Sequence, residues 1–136
     1  MELKFSLENP QYTFVQDFNQ FIQTMEILEK ETILGLDTET TGLDPYTATM
    51  LLMQIGTENH SYILDLRALK GSDLSRLKSL LESTKIIKIL HNAKFDYSMI
   101  KYHLGISVNN IYDTMLAEGL MTAGLVGKPP SLKELV

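Results

Sequence analysis

Thr32-Ile33-Leu34-Gly35-Leu36-Asp37-Thr38-Glu39-Thr40-Thr41-Gly42-Leu43-Asp44-Pro45 is the stretch whose reading decides the fold. Its first half is apolar and strand-like, and Gly42 with Asp44-Pro45 ends it in a turn. Side chains alternate along a strand, so Asp37 and Glu39 share one face, about 7 Å apart. Two carboxylates at that spacing repel, and more strongly where water is scarce. No lysine or arginine lies within the run to neutralise them. A hard divalent metal ion, which takes oxygen ligands, answers that need.

Working outward, Tyr12-Thr13-Phe14-Val15-Gln16 reads as a short strand. Asp17 suits the cap of a following helix, in which Phe18, Phe21, Ile22, Met25 and Leu28 recur at helical spacing. Residues 50–56 and 61–66 read as two strands closed into a hairpin by Thr57-Glu58-Asn59-His60. Leu74, Leu77, Leu80 and Leu81 mark an amphipathic helix over 73–82. A fourth core strand is expected over 85–90, then a helix over 92–104 stopped by Gly105. A brief fifth strand, 110–112, precedes a helix opened by Asp113 and running through Leu120. A hairpin followed by strand–helix–strand implies a mixed α/β sheet with helices on both faces. Catalytic groups in such sheets gather at the carboxyl ends of strands, where Asp37 and Glu39 lie.

At 136 residues and 44% hydrophobic content the chain suits one cored domain. It has no cysteine, which rules out disulfides and thiolate metal sites. No apolar run approaches a membrane span and Met1-Glu2-Leu3-Lys4-Phe5 does not resemble a leader, so a cytoplasmic protein with no membrane contact is expected. Twelve basic and 17 acidic residues leave a net charge of −5, which argues against gripping nucleic acid through bulk positive charge. It does not argue against a nuclease, because an acidic site loaded with divalent ions is locally positive toward phosphate. Lys85, Lys88, Lys94 and Lys101 are expected to gather beside the second motif.

That motif is His91-Asn92-Ala93-Lys94-Phe95-Asp96, directly after the fourth strand. On a helix, Asn92, Asp96, Met99, Ile100 and His103 share roughly one face, so Asp96 turns toward the sheet. Alone, Asp96 reads as a carboxylate complementing the helix dipole. Beside Asp37 and Glu39 it reads as the third carboxylate of a two-metal site, which activates water and stabilises the leaving oxygen of a phosphodiester. Asp113 reads as a helix cap before a substitute ligand. His91 is balanced between a phosphate contact and a packed strand end, while His60 and His103 read as structural or solvated.

Leu36 to Pro45 resembles the first motif of the DEDD 3′–5′ exonucleases, and His91 to Asp96 the second. Ile111-Tyr112-Asp113-Thr114-Met115-Leu116-Ala117 with Ser131-Leu132-Lys133-Glu134-Leu135 is similar to the segment leading toward the third. The likeness is greatest to the proofreading domain of family A (polymerase I type) DNA polymerases and to ribonuclease D. It implies a ribonuclease H-like mixed five-stranded sheet flanked by helices. It implies two divalent ions, Mg2+ or Mn2+, with Asp37 bridging both, Glu39 on one ion and orienting the water, and Asp96 on the second. Thr40 and Leu43 match positions touching the 3′-terminal nucleotide, and Asn92 and Phe95 match positions along the single-strand path. The implied activity is hydrolysis of the terminal phosphodiester of single-stranded DNA 3′ ends, as in replication proofreading, with a polymerase domain as a C-terminal neighbour. The alternatives are ribonuclease D-like RNA 3′-end processing and an inactive nucleic-acid-binding domain. The family's third motif, Tyr-x-x-x-Asp or His-x-x-x-Asp, has no match among the tyrosines and histidines of this chain. Residues 1–136 are therefore expected to form a single domain truncated before that motif and missing its C-terminal helices.

Overall fold

The computed structural model describes residues 11–121. Chain order is β1 (Tyr12–Val15), α1 (Phe18–Leu28), β2 (Ile33–Thr40), β3 (Met50–Gly56), β4 (Ser61–Asp65), α2 (Ser75–Glu82), β5 (Ile87–Leu90), α3 (Ala93–Leu104), β6 (Ile111–Asp113) and α4 (Thr114–Met121). The strands form one sheet in the order β1-β4-β3-β2-β5-β6. It has six strands rather than five, because β1 joins the edge in parallel with β4. The β2–β3–β4 meander is antiparallel, whereas β2–β5 and β5–β6 are parallel. β2 thus lies where the antiparallel half of the sheet meets the parallel half. The Ser131 to Val136 segment lies outside the described residues.

Residue parity sorts the sheet into two unlike faces. Leu34, Leu36 and Thr38 of β2, Met53 and Ile55 of β3, Tyr62 and Leu64 of β4, and Leu90 of β5 are all buried. The cross-strand register sets them opposite one another: Leu36 faces Ile55, Thr38 faces Met53, and Met53 faces Leu64. Phe21, Met25 and Leu28 of α1, Leu77, Leu80 and Leu81 of α2, and Ala93, Met99 and Ile100 of α3 join the same core. On the other face Ile33, Asp37, Glu39, Gln54, Ile87 and Tyr112 are exposed. The expectation of helices on both faces is therefore met on one face among the described residues, where α1, α2 and α3 pack. α4 buries no residue.

Local signals set the element ends. The Asp17 carboxylate accepts the Gln20 N–H at 2.8 Å and starts α1. Gly105 ends α3 with φ +67°, a conformation that only a residue without a β-carbon takes without strain. The Thr57–His60 hairpin is closed by a bond from Thr57 N to His60 O.

One expectation fails. Lys88 does not join the lysines beside the second motif: it alternates with Ile86 and Leu90 and is fully buried. Its ammonium donates to the carbonyls of Ser83 (2.5 Å) and Asn109 (3.0 Å), tying together the two connections that flank β5 and β6. Burial without a carboxylate partner pushes its pKa down to about 8.

Candidate active site

β2 carries Asp37 and Glu39 outward to the open face, with buried Thr38 between them pointing the other way. The ladder slips at the end of this strand. Glu39 pairs with Leu52 but Thr40 pairs with Met50, so one residue of β3 bulges out. Bulges of this kind twist a strand and redirect its side chains. The chain then turns sharply: Asp44 accepts the Tyr46 N–H on its carboxylate and the Ala48 N–H on its carbonyl. The loop closes where Thr41 N donates to Thr49 O and Thr49 N donates to the Thr41 hydroxyl. Tyr46 of this loop meets Tyr102 of α3 edge to face, ring centres 5.0 Å apart.

β5 runs parallel to β2, so the carboxyl ends of both strands open at the same edge. There α3 begins. Asn92 holds a left-handed conformation (φ +60°) and supplies no side-chain cap of its own. Asp113 caps in its place. Its carboxylate accepts N–H groups of Asn92 (3.1 Å) and Ala93 (2.8 Å) at the start of α3, and of Met115 (2.9 Å) and Leu116 (3.4 Å) at the start of α4. Burial would raise its pKa, but these backbone donors hold it below the usual carboxylate range. The Asp113 cap of α4 is as expected; its bond to α3, some twenty residues upstream, has no signal in the local sequence. So engaged, Asp113 is a structural carboxylate.

Asp96 falls in the first turn of α3 and is 2% exposed. Its Oδ1 accepts two bonds from one residue, the Thr38 hydroxyl at 2.5 Å and the Thr38 N–H at 3.2 Å. The third carboxylate is thereby fastened to the residue between the first two. Burial pushes the Asp96 carboxyl up to about 6; the Thr38 bonds oppose this and the Asp37 charge adds to it. Asp96 thus lies within electrostatic reach of Asp37. No ion pair among the described residues links Asp37, Glu39 or Asp96 to a basic side chain.

The remaining candidates divide. Leu43 stands on the turn 83% exposed, as an apolar contact for a base would require. Thr40 spends its hydroxyl on Gly42 O at 2.7 Å, bracing that turn. Asn92 is exposed at the helix entry, while Phe95 is half-buried against the core. His91 is half-buried, with Nδ1 2.9 Å from the Thr114 hydroxyl. It lines a cavity of about 470 Å3 on the open face together with Gly35, Asp37, Gln54 and Thr114. Sequence reasoning missed Thr38 and Gln54. The signal for Thr38 was its hydroxyl at an inward-pointing strand position, and that for Gln54 is its register directly across from Asp37.

The donor set suits Mg2+ or Mn2+ in kind, being hard carboxylate oxygen with mutual repulsion and no basic partner. It does not form a closed cage: among the described residues no three His, Cys, Asp or Glu groups come together to hold an ion.

A family model described as 3′–5′ exonuclease matches residues 12–136. DNA polymerase I of Aquifex aeolicus (strain VF5) is 37% identical over 94 residues, covering 69% of this chain and 15% of that protein. Ribonuclease D of Desulfotalea psychrophila is 38% identical over 87 residues, covering 63% of this chain and 23% of that protein. The catalytic core of RRP6 from Trypanosoma brucei shares the fold with a TM-score of 0.74 at 25% identity, covering 82% of this chain and 31% of that one. The chain thus spans a quarter or less of these two curated relatives. With this match over nearly all its length, two carboxylates on the outward face of β2 and a third bonded to Thr38, the residue between them in sequence, the chain belongs to the 3′–5′ exonuclease family.

Proposed function

We propose that this chain removes nucleotides from single-stranded DNA 3′ ends, using two divalent ions, Mg2+ or Mn2+, held by Asp37, Glu39 and Asp96. The observation that carries the reading is the Thr38–Asp96 pair, which brings an α3 carboxylate to the strand residue flanked by Asp37 and Glu39. When bound, the ions would lower the pKa of a water and offset charge on the leaving oxygen. Asp37 would hold the ions on the open face, and Glu39 would accept a hydrogen bond from the attacking water and orient it. The water oxygen bonds to the terminal phosphorus, and the bond from phosphorus to the 3′ oxygen of the penultimate nucleotide breaks. That oxygen takes a proton to become the new 3′ hydroxyl, and a nucleoside 5′-monophosphate leaves. Leu43 would stack on the terminal base, Thr40 would brace the turn that presents it, and Asn92 and Phe95 would border the strand's path.

Likeness to ribonuclease D, at 38% identity, favours RNA as the second reading. Discrimination depends on contacts at the ribose 2′ position. The test is a time course on 5′-labelled single-stranded DNA and RNA of one sequence with Mn2+, an EDTA control, and Asp37→Ala. A ladder shortening from the 3′ end of DNA, absent with EDTA and with Asp37→Ala, is the expected result. A ladder on RNA alone would transfer the assignment to RNA processing, and trimming undiminished by Asp37→Ala would overturn the metal assignment.

A further inference from the structure

We propose that Thr38 is a positioning residue for Asp96: its hydroxyl and its N–H together fix the Asp96 carboxylate so that the remaining oxygen serves a metal ion shared with Asp37 and Glu39. The inference rests on the metal-binding reading above.

Three observations carry it. Both bonds from Thr38 go to Asp96 Oδ1, the hydroxyl at 2.5 Å and the N–H at 3.2 Å. Thr38 spends neither of these bonds on Oδ2, and Oδ2 is not among the buried polar atoms left without a partner. Thr38 is itself buried, at 7% exposure, in the inward row of β2 opposite Met53. A valine would fit the same space, so a hydroxyl there has chemical rather than steric meaning.

The geometry follows from strand alternation. Asp37 and Glu39 point outward because they are two apart, and the residue between them must point inward, toward α3. A hydroxyl at that position lets one tripeptide present two carboxylates on one face and anchor a third from the other. A helix fixes where the Asp96 backbone lies but leaves its side-chain torsions to be set by contacts. The Thr38 hydroxyl sets them. Loss of a hydrogen-bond partner that orients a metal ligand typically weakens metal binding about 10- to 100-fold.

Mn2+ affinity of the 136-residue chain, measured by isothermal titration calorimetry at low temperature, tests this with Thr38→Ser, Thr38→Ala and Thr38→Val. Asp37→Ala serves as the variant lacking the site, and circular dichroism confirms each fold. Thr38→Ser keeps the hydroxyl and should bind as the parent does. Thr38→Ala and Thr38→Val should bind about 10- to 100-fold more weakly. A threonine with only a structural role would lower the melting temperature without moving the affinity of the folded form. Thr38→Ala binding as tightly as Thr38→Ser would overturn the proposal while leaving the metal reading in place. Should Thr38→Val not fold, the serine–alanine pair, differing by one hydroxyl, decides alone. Equal Mn2+ uptake by the parent and Asp37→Ala would overturn the metal reading itself, and this proposal with it.

Discussion

Leu43 and Asp96 show the two ways a single residue departs from what its side chain alone would prefer. Leu43 is a large apolar group held 83% exposed on a turn braced by Thr40 and Asp44. Nothing in the fold gains from it, so Leu43→Ala should leave the melting temperature and Mn2+ binding unchanged while weakening single-strand end binding by about 1–3 kcal/mol, the worth of one stacked base. Fluorescence anisotropy with a labelled oligonucleotide measures this, and an equal loss of metal binding would make Leu43 structural. Asp96 is an acid in an apolar setting. Its carboxyl titrates near 6 in the fold, raised chiefly by burial, and near 4 in the unfolded chain. Between those values the folded state binds the extra proton, so the metal-free chain loses stability as pH rises from 4 to 7. Asp96→Asn should lack that component, giving a shallower decline in urea midpoints over the same range. Parallel pH profiles for the two would refute the burial argument.

At the scale of elements, the site is an agreement between one strand and one helix start. β2 and β5 are parallel neighbours, so α3 begins beside the end of β2, and Asp113 at the end of β6 secures that start. Because one carboxylate caps two helices, Asp113→Ala should cost about 2 kcal/mol, twice the usual loss for a single cap. Chemical denaturation checks this, and a loss below about 0.5 kcal/mol, the floor for one cap, would mean that water replaces the carboxylate. These elements also show what the sequence makes legible. The alternation of β2, the Asp17 cap, the Thr57–His60 hairpin and the Gly105 stop are local patterns, and each is where its pattern puts it. Lys88 was legible too, by alternation with Ile86 and Leu90, but its charge suggested a surface role. The Asp113–Ala93 and Thr38–Asp96 bonds join residues 20 and 58 positions apart, and no window along the chain contains them.

Over the whole molecule, the two faces of the sheet divide the work. One is closed by α1, α2 and α3 over a single core, and the other presents Asp37, Gln54 and His91 around a cavity of about 470 Å3, with Glu39 exposed on the same face. Net charge of −5 gives little general attraction for nucleic acid. On the function proposed above, binding of a polyanion is local and conditional on metal, since divalent ions reverse the sign of an acidic site toward phosphate. No helix among the described residues is long and apolar enough to cross a membrane. Composition conveyed the size of the core and the charge, but not which sheet face the helices would cover. That depends on how α1, α2 and α3 pack together rather than on any one of them. The central claim is that Asp37, Glu39 and Asp96 hold divalent metal, and it is tested most directly by crystals of the chain grown with Mn2+ and measured at the manganese absorption edge. Anomalous density contacted by the Asp37 and Glu39 carboxylates, with Asp96 directly or through water, is the result expected. Density only at other carboxylates, with these three left bare in crystals that hold Mn2+, would contradict it.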